Sequence, residues 1–251
     1  MISDPFFYAV AIPAVILFGL SKSGLGGALS VPCAPLIALA TSPLEAVAIM
    51  LPIMLTMDVF AVTAYRRDFD AKTLMLTIPT GILGVAIGGL LAAHVSDAHV
   101  RLIIGAIAVS FSLKYWLSSR KAVAARPHKP LKARFWSTVS GFTSTIAHAG
   151  GVPYQMYTLP LRLAPRTLAA TTAIFLASVN VAKVVPYFLL GLFDTSTLSA
   201  SLVLSPLAPL SIYAGVYLIR IIPMEPFYKL TYAGVLLVGL KMLWDGLGPL
   251  L

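Results

Sequence analysis

The sequence is poor in charged residues and in cysteine. Only 11% of its 251 residues are charged and 59% are hydrophobic, whereas about 25% charged is usual for soluble globular proteins. This composition excludes an ordinary soluble domain and indicates an all-α integral membrane protein. The single cysteine, Cys33, excludes intramolecular disulfide bonds and a cysteine-based metal site.

Several motifs of enzymes and ATP-driven pumps are also missing. The sequence has no P-loop, no G-x-S-x-G elbow, no H-E-x-x-H motif and no pair of aspartates within its apolar segments. A nucleophile and a base can still be assembled on paper from Ser21 with Lys22, or from Ser144 with His148. An intramembrane hydrolase is therefore the weaker alternative, and we expect no enzyme, no cofactor and no resident metal.

Acidic residues are scarce relative to basic ones. There are nine acidic and eighteen basic residues, which gives a formal net charge of +9. The basic residues lie mainly between apolar runs, and the linker of residues 118–134 carries six of them with no acidic residue. Membrane proteins concentrate Lys and Arg in cytoplasmic loops, so we expect a cytoplasmic linker and no nucleic-acid partner. The first apolar segment, which begins at Pro5, lacks the positive start of a signal peptide, so we expect it to remain in the mature protein.

The two halves of the chain resemble each other. Residues 101–116 (RLIIGAIAVSFSLKYW) return in altered form at 229–244 (KLTYAGVLLVGLKMLW), and a glycine pair before a proline occurs in both halves. We therefore divide the chain into a first membrane repeat (1–117), the basic linker (118–134) and a second membrane repeat (135–251).

Each half also contains one unusual apolar stretch. Residues 5–40 and 135–163 are too long for one span, and each is interrupted by a polar, glycine-rich string, at 21–27 and at 143–153. Either string is an ordinary loop between short spans or a break between half-helices that faces a cavity. Full spans of about 20 residues are predicted at 44–65, 74–93, 99–117, 166–190, 197–219 and 227–246.

The charge distribution favours broken segments that enter and leave on one face of the membrane. Arg162, Arg166, Arg220 and Lys229 then lie on the side of the linker, and Asp194 lies on the other side. Each repeat then has one re-entrant segment and three crossings, an odd number. The sequence thus predicts two inverted repeats, although ordinary spans would make the repeats parallel.

Polar residues within the apolar segments predict an anion site between the two broken segments. Ammonium groups, hydroxyls, an imidazole and amides freed at a helix N-terminus all bind oxyanions. The predicted substrate-binding residues are Lys22, Ser23, Gly24, Gly26, Gly27, Ser144, Thr145, His148, Gly150, Gly151, Gln155, Asn180 and Lys183.

Plainer interpretations of the same residues stay open. Lys22 is then a snorkelling lysine at a helix end, and His148 is a satisfied interhelical hydrogen-bonding group. Asp58 and His148 are candidates for ion coupling or for a structural pair, and Asp58 with Lys183 is the alternative structural ion pair.

Three segments of the sequence are distinctive: the glycine-rich string before Val31 and Pro32, the phrase AHAGGVP at 147–153 leading into MYTLP, and NVAKVVPY at 180–187. With these segments the chain resembles the TauE/SafE sulfite exporter family, also called the toluene-sulfonate uptake permease family. The resemblance covers essentially the whole chain. It implies secondary transport of sulfite, thiosulfate or organosulfonates across a bacterial inner membrane. An ion gradient is the expected energy source, with a proton or a sodium ion as candidates for the coupling ion and His148 as the residue that suggests protons. Family members often carry a longer glycine run in the first half than this chain does.

We therefore expect a multi-pass carrier of small sulfur-containing anions that works by alternating access at a site near the bilayer midplane. An anion channel and a non-transporting membrane assembly protein are the alternatives. The direction of transport, the coupling ion and the oligomeric state, with a homodimer as one option, are left open.

Overall fold

The computed structural model describes residues 4–25, 33–37, 39–41, 43–91, 97–117, 125–189, 191 and 193–248. These residues form helices and short connections without any strand, which confirms the predicted all-α class. The helices are α1 (Pro5–Leu20), α2 (Cys33–Ile37), α3 (Pro43–Tyr65), α4 (Ala71–Leu91), α5 (Asp97–Leu117), α6 (Pro130–Ala147), α7 (Gly151–Thr158), α8 (Pro165–Leu189), α9 (Thr195–Leu204), α10 (Leu207–Ile221) and α11 (Met224–Leu247).

Five stretches of these helices are long and apolar enough to cross a membrane. They are Pro5–Ser23, Ala48–Tyr65, Ala71–Leu91, Pro165–Leu189 and Met224–Leu247. Four of them fall on predicted spans, and the first makes residues 5–23 a candidate span of its own.

Two of the predicted spans differ from expectation. The one at 197–219 is a pair of helices, α9 and α10, bent by 45°. Pro206 lies at the bend, and a proline removes a backbone donor and clashes with the preceding turn. The span predicted at 99–117 falls within α5, which has 21 residues but is not among the five stretches that are long and apolar enough to cross a membrane.

The basic linker, the connection between α3 and α4, and the start of α8 lie at one face of the bundle. Arg166 Nη2 lies 2.9 Å from Asp68 Oδ2, in the connection between α3 and α4. His128, just before α6, has Nε2 3.6 Å from Asp70 Oδ2 in that same connection. We call this the linker face, because residues 125–129 form part of it.

The second broken segment enters and leaves at the linker face. The backbone N–H of Arg126, before α6, donates to the carbonyl O of Pro160, after α7, over 3.0 Å. Tyr157 and Leu161 likewise pack on Ala133, near the start of α6. Helices α6 and α7 therefore form a hairpin, and its tip at residues 148–150 lies inside the bundle.

The first broken segment is placed differently. Helix α1 runs parallel to α10, because Gly19 lies against Ser211 and Gly215 lies against Ser23. Arg162, in the connection after α7 at the linker face, has Nη1 3.9 Å from Glu225 Oε1 at the start of α11. Helix α10 therefore ends at the linker face, and α1 begins at the opposite face. Helix α2 packs on α1 and on α3, whose first residues also lie at the opposite face.

Close helix contacts join the two halves. Helices α4 and α6 pack so tightly that a Cβ on Gly84 would lie 2.1 Å from the carbonyl O of Thr138. A Cβ on Gly141 would lie 2.0 Å from the carbonyl O of Gly81. Small residues allow this approach of backbones in membrane proteins. The contact holds α6, and with it the tip of the hairpin, against the first half.

The remaining contacts between halves follow the same pattern. Helix α1 of the first half packs on α10 of the second, α3 packs on α8, and α5 packs on α11. The interface between the halves therefore runs through the middle of the bundle.

Candidate functional site

The hairpin of α6 and α7 carries the break that the sequence predicts. Helix α6 ends at His148, which takes a left-handed conformation with φ 49°. Gly150 then precedes α7 without any side-chain cap, and Ser140 Oγ fixes it by donating to its carbonyl O over 2.6 Å. The N–H groups of the first turn of a helix have no partner within that helix. The break therefore supplies backbone donors and a partial positive charge.

The polar string of the first half is built differently from the prediction. We expected Lys22 beside a half-helix N-terminus, but Ser21–Leu25 is a π-helical turn at the C-terminal end of α1. Side chains stabilise this wider turn: Ser23 Oγ donates to the carbonyl O of Leu20 over 2.7 Å, and Tyr65 donates to the carbonyl O of Ser23 over 2.5 Å. A helix C-terminus favours a cation, so Lys22 is suited to this end of α1. Gly26 and Gly27 lie outside the described residues.

A buried ion pair joins the π-helical turn to α3 and α8. Lys22 Nζ lies 2.7 Å from Asp58 Oδ1, and it also donates to the carbonyl O of Met54 over 2.9 Å. Asn180 Nδ2 donates to the second carboxylate oxygen of Asp58 over 2.7 Å. The Asp58 carboxylate is therefore bound on both sides, as a buried charge must be.

The alternative pairing of Asp58 with Lys183 is wrong. Among the described residues, the carboxylate that contacts Lys22 and Asn180 forms no ion pair with Lys183. The corresponding depths of Asp58 and Lys183 in the two halves suggested the pair, but Lys22 reaches the carboxylate from the π-helical turn.

Lys183 instead points toward the tip of the α6–α7 hairpin. Its side chain is fully buried, and its Nζ donates to the carbonyl O of Ser144 over 3.3 Å. The same Nζ lies 3.2 Å from Nδ1 of His148, while Tyr187 Oη lies 3.4 Å from Nε2. With Lys183 as an ammonium, which only donates, Nδ1 is the acceptor and the imidazole proton lies on Nε2. Tyr187 in turn donates to the carbonyl O of Thr145 over 3.1 Å.

These groups surround a cavity of about 80 Å³, which we call the central cavity. Its volume is several times the roughly 10–15 Å³ that one water needs, so it suits a group of about six heavy atoms. The described residues that line it are Phe18, Ser21, Lys22, Met54, Ser144, His148, Gly150, Gly151, Gln155, Leu168, Ala169, Thr172, Leu176, Asn180, Lys183, Phe227 and Thr231.

Most of the predicted site residues meet at this cavity. Those that line it are Lys22, Ser144, His148, Gly150, Gly151, Gln155, Asn180 and Lys183. Ser23 and Thr145 do not line it, although their hydroxyls donate to the backbone next to it. Gly24 lies in the π-helical turn, and its surroundings are outside the described part of the structure. Asp58 lies behind Lys22 and reaches the cavity only through that ion pair.

Sequence reasoning missed the rest of the lining. Thr172 and Thr231 are polar residues within apolar helices, and that contrast could have marked them. Phe18 and Leu176 carry no such signal, because they differ in no way from ordinary packing residues along their helices.

Basic side chains outnumber acidic ones at the central cavity. The amines of Lys22 and Lys183 line it, and the Asp58 carboxylate behind Lys22 is the acidic group bound there. Gln155 adds a buried amide, whose Nε2 can donate to an anion and whose Oε1 has no hydrogen-bond partner. The described residues contain no cluster of three or more His, Cys, Asp or Glu residues that could hold a metal ion. The arrangement can therefore hold a small anion.

One spacing occurs on both sides of this site. Asp58 follows Pro43, and Asn180 follows Pro165, by the same fifteen residues. These two side chains contact each other directly. Residues at the same offset from a helix-starting proline thus meet beside the cavity.

Comparisons with known proteins agree with this description. Residues 11–242 of the chain match the family model described as sulfite exporter TauE/SafE. No curated protein and no solved structure gave a significant match.

Proposed function

The chain belongs to the sulfite exporter TauE/SafE family of multi-pass membrane transporters, and on that premise we propose that its substrate is a small sulfur oxyanion bound in the central cavity. Sulfite, thiosulfate and the smallest organosulfonates have four or five heavy atoms and suit a cavity of about 80 Å³. An aromatic sulfonate is too large for it without rearrangement of the lining.

The observation that carries the proposal is the buried amine of Lys183. Its side chain is fully buried, and the Asp58 carboxylate is already bound by Lys22 and Asn180. Burying the charged form of an amine costs several kcal/mol unless a counter-charge offsets it. A bound anion supplies this counter-charge, and the first-turn amides of α7 donate to its oxygens.

We propose that the protein works by alternating access between two inverted repeats. These are residues 1–117 and 135–251, which precede and follow the linker in the sequence. Three features support this: the broken segments start from opposite faces, each half packs its first helix on the other half, and Asp58 meets Asn180. In transporters of this kind, the substrate lies where the repeats meet.

We also propose a role for His148 in coupling. With both lysines charged and His148 neutral, a monovalent anion cancels the charge at the cavity, whereas a divalent anion leaves one negative charge. A proton on His148 would offset this charge. The groups that face His148 include Lys183 and Tyr187 from α8, with Lys22 and its partner Asp58 across the cavity. Divalent anions would then move together with a proton.

We also propose that the protein lies in the inner membrane of a bacterium, with its linker in the cytoplasm. The basic residues of the linker face, including Arg126, Lys129 and Lys132, support this orientation by the positive-inside rule.

Counterflow in proteoliposomes tests the proposal. Liposomes preloaded with unlabelled sulfite are given labelled sulfite, thiosulfate, methanesulfonate, benzenesulfonate, sulfate or acetate at pH 6 and pH 8. We expect saturable exchange of sulfite, thiosulfate and methanesulfonate, and none of benzenesulfonate. Thiosulfate exchange should be faster at pH 6, and methanesulfonate exchange should not change.

Two results would refute parts of this account. An anion channel would pass ions without saturable counterflow. If the folded protein exchanges none of the sulfur anions, the proposed transport function is refuted and only the membrane fold is supported.

A further inference from the structure

A second cavity opens at the linker face, outside the proposed transport site. Its volume is about 290 Å³, more than three times that of the central cavity. It lies between α5, residues 126–129, the start of α6, α7 and α11. The described residues that line it are Ile107, Phe111, Lys114, Tyr115, Arg126, Pro127, Lys129, Lys132, Trp136, Met156, Tyr157, Pro160, Leu161 and Tyr232. We call it the linker-face cavity.

The rim of this cavity is basic. Lys114 from α5, Arg126 and Lys129 from the linker, and Lys132 from α6 all line it, and all four are exposed. None of the described lining residues is acidic. The rim therefore carries four positive charges without an internal counter-charge, which complements an anionic group.

The floor of the cavity is aromatic and firmly packed. The rings of Tyr115 and Tyr232 stack with centroids 3.7 Å apart and an interplanar angle of 1°. Phe111 also stacks on Tyr232, with ring centroids 5.5 Å apart. Such a surface does not solvate a free inorganic ion, but it suits an anion that carries an apolar body.

Exposed apolar side chains neighbour the rim residues in sequence. Leu117 follows Lys114 at the end of α5 and Leu131 precedes Lys132 at the start of α6; each is 80% exposed, and Trp116 and Phe135 are also exposed. Exposed apolar side chains at the end of membrane helices contact lipid, and Trp is enriched at the level of the head groups. The helix ends that carry the rim cations therefore also present apolar side chains to lipid.

We propose that the linker-face cavity binds the phosphate head group of an anionic phospholipid. The rim cations contact the phosphate, the aromatic floor packs on the glycerol region, and the acyl chains lie on the exposed leucines. Basic pockets between membrane helices bind lipid head groups in this way. The proposal depends on the chain being a membrane protein and not on the identity of the transported anion.

Native mass spectrometry of the full-length protein in neutral detergent tests the proposal. Phosphatidylglycerol is titrated against the protein, with zwitterionic phosphatidylcholine as the control lipid. The triple variant K114Q/K129Q/K132Q removes three rim charges. The matched control R66Q/R67Q/K72Q removes three exposed charges of the linker face that do not line the cavity.

We expect the wild type and the control variant to bind phosphatidylglycerol equally and in preference to phosphatidylcholine. The rim variant should bind it about a hundredfold more weakly, since each basic residue near a membrane surface contributes ~1 kcal/mol. Wild-type binding should also weaken when salt is raised from 0.1 to 1 M. Because the salt dependence is measured on the wild type, it tests the proposal even if the rim variant does not fold.

Three outcomes would overturn the proposal. Equal losses in the two triple variants would indicate a diffuse positive surface. Binding that is independent of salt, or equal for both lipids, would show that the apolar surface alone holds the lipid. Displacement of phosphatidylglycerol by micromolar benzenesulfonate would show that the cavity is a site for soluble amphipathic anions.

Discussion

Replacing Lys183 by methionine should stabilise the anion-free protein, whereas replacing Lys22 by methionine should destabilise it. Both lysines are buried, but only Lys22 has a carboxylate partner. A methionine at position 183 removes the desolvation cost of an uncompensated charge and keeps a similar volume. A methionine at position 22 leaves the Asp58 carboxylate buried with Asn180 as its remaining partner.

The two effects have opposite signs and measurable sizes. Replacing buried charges by apolar groups of similar volume is often stabilising by about 1–4 kcal/mol, and removing one partner of a buried pair costs about 3–5 kcal/mol. For a chain of this size, each kcal/mol shifts the melting temperature by about 2–4 °C. We expect a rise of several degrees for Lys183→Met and a fall of roughly 10 °C for Lys22→Met.

Thermal unfolding of the detergent-purified proteins, with and without thiosulfate, measures both effects. Thiosulfate at a hundred times its dissociation constant should stabilise the wild type by about 2.7 kcal/mol and should not stabilise Lys183→Met. The reasoning is refuted if Lys183→Met destabilises the protein as much as Lys22→Met does. In that case, the contacts of Lys183 with Ser144 and His148 would be structural.

Three further predictions concern the hairpin tip, the helix interface and a helix cap. His148→Gly should relieve ~1 kcal/mol of left-handed backbone strain, leaving the melting temperature equal or higher, while thiosulfate counterflow is lost; unchanged counterflow would remove His148 from the site. Gly84→Ala should lower the melting temperature by an amount equivalent to about 1–3 kcal/mol, because the new Cβ would meet the Thr138 carbonyl at 2.1 Å, whereas Gly248→Ala, which meets nothing within 4 Å, should not. The N–H of Thr197 holds the pKa of the Asp194 carboxyl below its usual value. This hydrogen bond therefore stabilises the folded protein above about pH 3.9, the ordinary pKa of an aspartate, and the stabilisation should be lost as the pH falls through the lower pKa of the folded protein. Asp194→Asn should show a smaller fall in melting temperature than the wild type over that pH range, and an equal fall would contradict the assignment.

The sequence predicted the second broken segment closely because the signals there are local. Gly150 and Gly151 are poor helix formers, and they follow a helix whose end at His148 lies next to them in the chain. The positions of Lys183 and Asn180 on one helix were also predictable from their spacing. Their gathering around one cavity was expected because the similarity of the two halves predicts a site where they meet.

The partners of the charged groups were not predictable. Lys22 and Asp58 are 36 residues apart in sequence, and their contact depends on how the π-helical turn packs on α3. A single sequence indicates that buried charges need partners, but it does not indicate which partner each one takes. The apolar part of the cavity lining, such as Phe18, was hidden for a similar reason, because packing residues and cavity residues have the same composition.

Counterflow of thiosulfate by Lys183→Gln, reconstituted beside the wild type and beside Arg166→Gln, tests the central claim most directly. Arg166 contacts Asp68 at the linker face and does not line the central cavity, so Arg166→Gln controls for the loss of one positive charge. We predict saturable exchange by the wild type and by Arg166→Gln, and a loss of exchange in Lys183→Gln with the protein still folded. Exchange by Lys183→Gln at the wild-type rate would contradict the claim that this buried ammonium holds the transported anion.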